Sequence, residues 1–340
     1  MLRKNAFGVD LGTSVVKIYS LRKNRLLSEH DMIAIMNGSQ VIAVGNDAYE
    51  MYEKNPPNIA VDRPMVNGRI ADVAEVEMML KLLLRKTDRH AGSKPLIYFS
   101  APVNMSELEK RAYYMISDAG NPRNPRVWLV DRPICDAISM GIPLERARGS
   151  MILDIGAQST EVSVIAGEQV IVSDSIPMGG QQLNEAICNE IRRSRNLLIG
   201  NRTARRLKAS LATFLSTGSE ERVVTGIDTL TGLPRQEVIP SELVCRAVTE
   251  EMLKGAEAMR TFLERTPPQI SGNIFNEGIY LTGGTSRIPG IERYLCRIIG
   301  CRINLGKDYE FSTIRGLEEL IQHKELRKWA HSVKERKYRK

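Results

Sequence analysis

The chain has 340 residues, 42% hydrophobic and 26% charged, the balance of an ordinary globular protein with room for two or three domains. No apolar run approaches the ~20 residues of a membrane-spanning helix, the N-terminus enters a strand pattern with no signal-peptide apolar region, and the five cysteines are scattered without a CxxC pair, so a spanning membrane protein and a disulfide scaffold are excluded and a reducing cytoplasm is expected. Residues 323–340 hold eight Lys/Arg and two Glu, a balance of +6 out of the net +8, which leaves the body close to neutral.

In chain order, Phe7-Gly-Val-Asp-Leu-Gly-Thr-Ser-Val-Val-Lys-Ile-Tyr19 reads as a strand, a tight turn and a second, alternating strand. Residues 74–86 carry helical periodicity, and residues 94–101 read as a strand. Ser106 and Glu109 are spaced as a capping box that opens a helix ending at Gly120. Residues 127–130 form a strand, followed by a helix ending at Gly141. Near residue 150 the opening pattern returns as Ile152-Leu-Asp-Ile-Gly-Ala-Gln-Ser-Thr-Glu-Val-Ser-Val164, with Asp154 in the place of Asp10 and Gly156 in that of Gly12. A repeat of this length predicts a duplicated domain. Beyond it come a helix at 181–195, a polar hairpin at 226–240 and a helix at 248–265 stopped by Pro267-Pro268. A short apolar strand at 278–282 then runs into Gly283-Gly284, with a helix near Ile291. The alternation predicts an α/β protein with two related mixed sheets flanked by helices.

Each Asp–apolar–Gly turn has a specific chemical use. Glycine lets the backbone approach an anion, successive N–H groups point inward, and a hydroxyl such as Thr13 or Ser14 adds a donor. An aspartate at the strand end can hold a hydrated Mg²⁺ through its waters. Such turns are common singly; two copies, one opening each half, point to a phosphate grip. Gly283-Gly284 lets a flat group lie on bare backbone, although a plain strand-to-helix turn reads the same way. Met178-Gly179-Gly180 opens the helix at 181, whose N-terminus suits phosphate or ribose oxygens.

The order Asp10-Leu-Gly-Thr13, Asp154-Ile-Gly156, Gly179-Gly180 and Leu281-Thr-Gly-Gly284 resembles the actin, heat-shock chaperone and sugar kinase superfamily. Within it, Val41-Ile-Ala-Val-Gly45, Arg69-Ile-Ala-Asp72, Asn196-Leu-Leu-Ile-Gly200 with Arg202-Thr-Ala204, Leu230-Thr-Gly-Leu-Pro234 and Thr266-Pro-Pro268 resemble the MreB family of rod shape-determining bacterial actins, over roughly residues 5–320. The resemblance implies an actin-like fold, two duplicated RNase H-like α/β domains with a nucleotide cleft between them. The first half spans 1–148 with a small inserted subdomain at about 33–95, the second spans 149–322 with one at about 185–250, and 323–340 is a basic tail. It implies ATP and Mg²⁺ as cofactors. Asp10, Gly12, Thr13, Ser14 and Val15 then form the first phosphate loop, and Asp154, Gly156, Ala157, Gln158 and Ser159 the second. Gly179 and Gly180 sit at a helix start, Arg205 and Lys208 at the adenosine edge, and Gly283, Gly284, Thr285 and Ser286 over base and phosphates. Asp10 and Asp154 hold the metal through water. The expected protein is cytoplasmic and peripheral at the inner membrane; its partners are copies of itself, the membrane surface and the cell-wall synthesis machinery, with no nucleic acid.

Several positions depart from that family. Asp131-Arg132-Pro133 stands where a glutamate that positions the attacking water usually precedes the proline, and an arginine cannot act as a base. Ala157 and Gln158 replace glycines, Gln181 and Gln182 an acidic pair, and Arg205 and Arg206 a glutamate facing the ribose. These changes predict weak or lost ATPase activity with binding retained. Leu326, Trp329, Ala330 and Val333 fall on one helical face among lysines and arginines, which suits either a membrane-surface helix or docking on the chain's own domain. A non-polymerising membrane scaffold of the FtsA-like or PilM-like kind is the alternative class, and a sugar or acetate kinase a third.

Overall fold

All six residues of the strand Ala6–Leu11 are buried, as a strand with sheet neighbours on both edges and cover on both faces must be. A computed structural model describes residues 5–89, 95–117, 126–215 and 218–332. It pairs this strand antiparallel with Val15–Ser20 and parallel with Leu96–Ala101. The sheet continues to Arg25–His30 on one side and to Arg126–Asp131 and His331–Ser332 on the other. The helix Val73–Thr87 starts at Asp72, whose carboxylate accepts the Glu75 N–H at 2.9 Å. It covers one sheet face with Val76, Met79, Leu80 and Leu83. The capping box forms as read: Ser106 N–H donates to Glu109 Oε2 at 2.7 Å and Glu109 N–H to Ser106 Oγ at 3.3 Å, opening the helix Glu107–Ser117. Its expected end at Gly120 lies outside the described residues.

The second copy repeats the scheme. Arg148–Ile155 pairs antiparallel with Thr160–Ala166 and parallel with Ile279–Thr282, and the sheet order runs from Gln169–Ile176 at one edge to Ile303–Leu305 at the other. Helices Gly180–Arg195 and Ser241–Arg265 bury Leu183, Ile187, Val244, Val248 and Met252 in a core with Met151, Leu153, Val162 and Leu281. The second of these helices begins two turns before its expected start at 248, because Pro240 ends the preceding strand and leaves Ser241 at a helix entry. Small three-stranded sheets lie within each half: Ile33–Met36 with Gln40–Val44 and Ile59–Asp62 in the first, and Leu197–Leu198 with the hairpin Glu221–Asp228/Pro234–Pro240 in the second.

The described residues divide into two compact units. One holds those within 1–146 together with 168–170 and 311–332; the other holds those within 147–167 and 171–310. The chain therefore returns to the first unit at Phe311, whereas the sequence expectation ran the second half on to 322. The helix Ser312–Gln322 buries Ile314, Leu317, Leu320 and Ile321, and Leu317 and Ile321 lie over Gly8 of the first sheet. The tail also differs from a single amphipathic helix. Lys324–Trp329 is a 3₁₀ turn, Lys328 Nζ reaches Glu145 Oε1 at 2.6 Å, and His331–Ser332 adds to the Arg126–Asp131 strand. An edge strand with unpaired backbone groups outcompetes a further helical turn here. Val333 lies outside the described residues.

Asp31, at the end of the third strand, is 1% exposed. Its Oδ2 accepts the Met65 N–H at 3.1 Å, and burial pushes its pKa up from 3.8 to about 8. A carboxyl with a raised folded pKa stabilises the fold fully below its unfolded pKa, and that contribution is lost as pH rises from about 4 through about 8. Asp31→Asn is expected to remove up to ~1.4 kcal/mol per pH unit from the slope of stability across that window. Urea unfolding at a series of pH values checks this; equal slopes for the variant and the parent chain would refute it.

Candidate functional site

In the first unit the site is built on the end of the Ala6–Leu11 strand. Register places Asp10 opposite Lys17 across the hairpin and opposite Ser100 in the parallel neighbour. Ser100 Oγ donates to Asp10 Oδ1 at 2.7 Å, and Lys17 Nζ stands 3.6 Å from Asp10 Oδ2. The Gly12–Val15 turn follows at once. It is tight enough that a Cβ on Gly12 would sit 2.7 Å from the Val15 carbonyl oxygen. Thr13 is buried, Ser14 half-buried, and the Ser14 carbonyl accepts the Asp31 N–H at 3.0 Å.

Asp131 and Arg132 join this half-site from the end of the Arg126–Asp131 strand. Arg132 opens the helix Arg132–Ser139 and is 7% exposed, and its Nε lies 4.0 Å from Asp10 Oδ1. Burial raises the Asp131 pKa, opposed by the charges of His331 and Lys110.

In the second unit Asp154 is the penultimate residue of its strand and lies opposite Thr282 of the parallel neighbour. The Gly156–Ser159 turn closes with Gly156 N–H donating to the Ser159 carbonyl at 3.0 Å. Its carbonyls are held from two sides: Gly156 O accepts Gly180 N–H at 3.0 Å and Thr285 Oγ1 at 2.8 Å, and Ala157 O accepts Gln181 N–H at 2.7 Å. The helix Gly180–Arg195 thus gives its Gly180 and Gln181 amides to the loop, and it is the loop that these donors grip. The Gln158 side chain, where the resemblance expects bare glycine, donates to Gln181 Oε1 at 2.9 Å, and Gln181 donates on to Glu185 Oε1 at 3.1 Å.

Gly179 lies against the loop backbone, 2.8 Å from Ala157 C by its would-be Cβ. Gly283 does the same over Ile155, and its N–H donates to the Tyr309 carbonyl at 3.0 Å. Gly284, Thr285 and Ser286 form the 3₁₀ turn Gly284–Arg287, fastened by Ser286 Oγ to the Thr282 carbonyl at 2.7 Å. From the helix Asn201–Leu211, Lys208 Nζ donates to the Gly180 carbonyl; burial, aided by the charge of Arg205, brings its pKa down to about 7.

The structure sets these residues in two groups: the Asp10 turn with Asp131 and Arg132 in one unit, and the Asp154, Gly179, Lys208 and Gly283 elements in the other. Lys17 and Ser100 were missed. Hairpin register alone places Lys17 opposite Asp10, so that signal was available, whereas Ser100 meets Asp10 only through parallel pairing across 90 positions. Among the described residues, no group of three or more His, Cys, Asp or Glu gathers as a ready metal cage. Asp10, with the Ser100 hydroxyl on Oδ1 and the Lys17 ammonium and Arg132 guanidinium 3.6 and 4.0 Å from its oxygens, is poorly suited to the water shell of a divalent ion.

Two duplicated α/β units, each opening on an Asp-x-Gly hairpin, define an actin-like protein. The chain belongs to the MreB/Mbl family: the family model described as MreB/Mbl protein matches residues 4–328. It is 35% identical to the cell shape-determining protein Mbl of Bacillus cereus over 85% of this chain and 87% of that one. It is 33% identical to the cell shape-determining protein MreB of Escherichia coli K12 over 92% of each. Its fold superposes on the crystal structure of MreB5 of Spiroplasma citri bound to AMPPNP with a TM-score of 0.88 and 27% identity, covering 96% of this chain and 97% of that one.

Proposed function

We propose that this chain binds ATP through its Asp10 and Asp154 turns and assembles into filaments that control cell shape. We further propose that it acts at the inner membrane face together with cell-wall synthesis, and that it hydrolyses ATP weakly or not at all. The observation that carries the nucleotide reading is the duplicated hairpin, with Asp10 and Asp154 at equivalent ends of equivalent strands and a glycine turn after each. The AMPPNP-bound relative of the same fold supports it, and the names of the curated relatives support the role in cell shape. The arginine at 132 supports weak hydrolysis: it is buried against Asp10 and keeps its charge at every accessible pH. Gln181, Gln182 and Gln158 bring neutral amides where acids or bare backbone would serve a metal and water. A metal ion bound with the nucleotide would polarise the phosphates, and Asp154 is the side chain we assign to its water shell.

Pelleting, electron microscopy and phosphate-release assays with ATP test this reading. Nucleotide-dependent polymers with phosphate release near background are expected. Arg132→Glu is expected to raise release by roughly tenfold, less than a fully positioned base contributes. Brisk hydrolysis by the parent chain would refute weak catalysis. Failure to assemble with any nucleotide, with or without anionic vesicles, would leave the non-polymerising scaffold as the reading.

A further inference from the structure

The family resemblance gives Asp10 the task of holding the waters of a Mg²⁺ ion, but the charges around it serve a different arrangement. Asp10 Oδ1 accepts the Ser100 hydroxyl at 2.7 Å and lies 4.0 Å from Arg132 Nε, while Oδ2 lies 3.6 Å from Lys17 Nζ. The three charged side chains are 8%, 9% and 14% exposed, so solvent screens them little. These three side chains by themselves sum to +1, and Asp131 of the same half-site offsets part of that charge where it is ionised.

A hydrated Mg²⁺ wants oxygen ligands in a near-octahedral array and surrenders its waters reluctantly. It gains little from a carboxylate whose negative potential is already spent on two cations, and it is repelled by both of them at short range. A guanidinium has the opposite character. It is planar, permanently charged, and pairs with phosphate oxygens through two parallel N–H bonds. Arg132 is also fixed in place: it opens the helix Arg132–Ser139 with Pro133 behind it, and Gly316 of a neighbouring helix lies directly against the Cys135 backbone one turn on.

We propose that Arg132, anchored by Asp10, supplies at the first phosphate turn the positive charge that a hydrated Mg²⁺ would otherwise bring, so that nucleotide binding by this chain does not require a divalent metal. The proposal rests on the nucleotide reading above. Titration calorimetry of the full chain with ATP, in excess Mg²⁺ and in excess EDTA, tests it directly. The two dissociation constants are expected to agree within about tenfold. Arg132→Gln is expected to weaken binding in EDTA by roughly thirtyfold and to weaken it less in Mg²⁺, with Arg132→Lys recovering part of the loss as a point charge. A loss of more than about tenfold on moving the parent chain into EDTA overturns the proposal and leaves the nucleotide reading intact. Absence of binding in both media overturns both. The parent-chain comparison decides without relying on any variant to fold.

Discussion

Gly316→Ala is expected to lower the stability of the first unit by roughly 3 kcal/mol or more. The helices Ser312–Gln322 and Arg132–Ser139 cross at this residue, and a Cβ there would overlap the Cys135 carbonyl oxygen and lie 2.8 Å from Cys135 Cα. The obstacle is backbone within a helix, which cannot swing aside as a side chain would, so one of the two helices must move off the sheet. That movement would disturb Ile314 and Leu317, both fully buried, and the bond from Thr313 Oγ1 to Asp136 Oδ1 at 2.8 Å. Both tryptophans of the chain, Trp128 and Trp329, belong to this unit, so their fluorescence during urea unfolding reads the effect. The control is Gly272→Ala, which lies in the second unit away from both tryptophans, so both variants are also followed by far-ultraviolet circular dichroism. It lies in the helix Pro268–Glu277, its added methyl meets nothing within 4 Å, and it should stabilise by up to about 1 kcal/mol through helix propensity. If Gly316→Ala shifted the unfolding midpoint no more than this control, the close crossing would be refuted.

Gly283→Ala is expected to abolish nucleotide binding and to destabilise the second unit by roughly 3 kcal/mol. Its φ of +94° with ψ of 156° belongs to a region that only glycine enters freely. Its would-be Cβ overlaps Asp154 Oδ1 and the Ile155 carbonyl oxygen and comes within 2.6 Å of Ile155 C. Relief would push the Gly284–Arg287 turn away from the Asp154 strand and break the bond from Thr285 Oγ1 to Gly156 O. Gly284→Ala is the matched control, since nothing lies within 4 Å of its added methyl. Calorimetric titration with ATP and thermal melting by circular dichroism should separate the two neighbours sharply. Equal behaviour of the two variants would contradict the geometry.

That pair also shows where reading the sequence stops. Gly283-Gly284 stands out as a doublet, yet nothing in the residues says which glycine is indispensable; the answer depends on Ile155, more than a hundred positions earlier. The duplicated hairpins were legible because each is local: Asp10 to Lys17 and Asp154 to Glu161 lie within one turn of chain, and alternation fixes the register. The capping box at Ser106 and the helix Val73–Thr87 were legible for the same reason. The partners of Asp10 were less so. Arg132 stood out as a departure from a family pattern and as a candidate partner of the γ-phosphate, but its approach to Asp10 depends on two parallel strand pairings between distant segments. The return of residues 311–332 to the first unit was hidden for a related reason. An amphipathic helix announces its buried face but not the sheet that receives it.

The short strand His331–Ser332 has a practical consequence for testing membrane attachment. It pairs with Trp128 and Leu129 and so closes one border of the six-stranded sheet. Truncation after residue 322 would delete a basic segment and at the same time leave the Arg126–Asp131 strand with a bare row of backbone donors and acceptors, a template for sticking to other chains. Such a truncated protein would sediment for reasons unrelated to lipid, so attachment is better examined by reversing charges within 324–328 while the bordering strand stays in place.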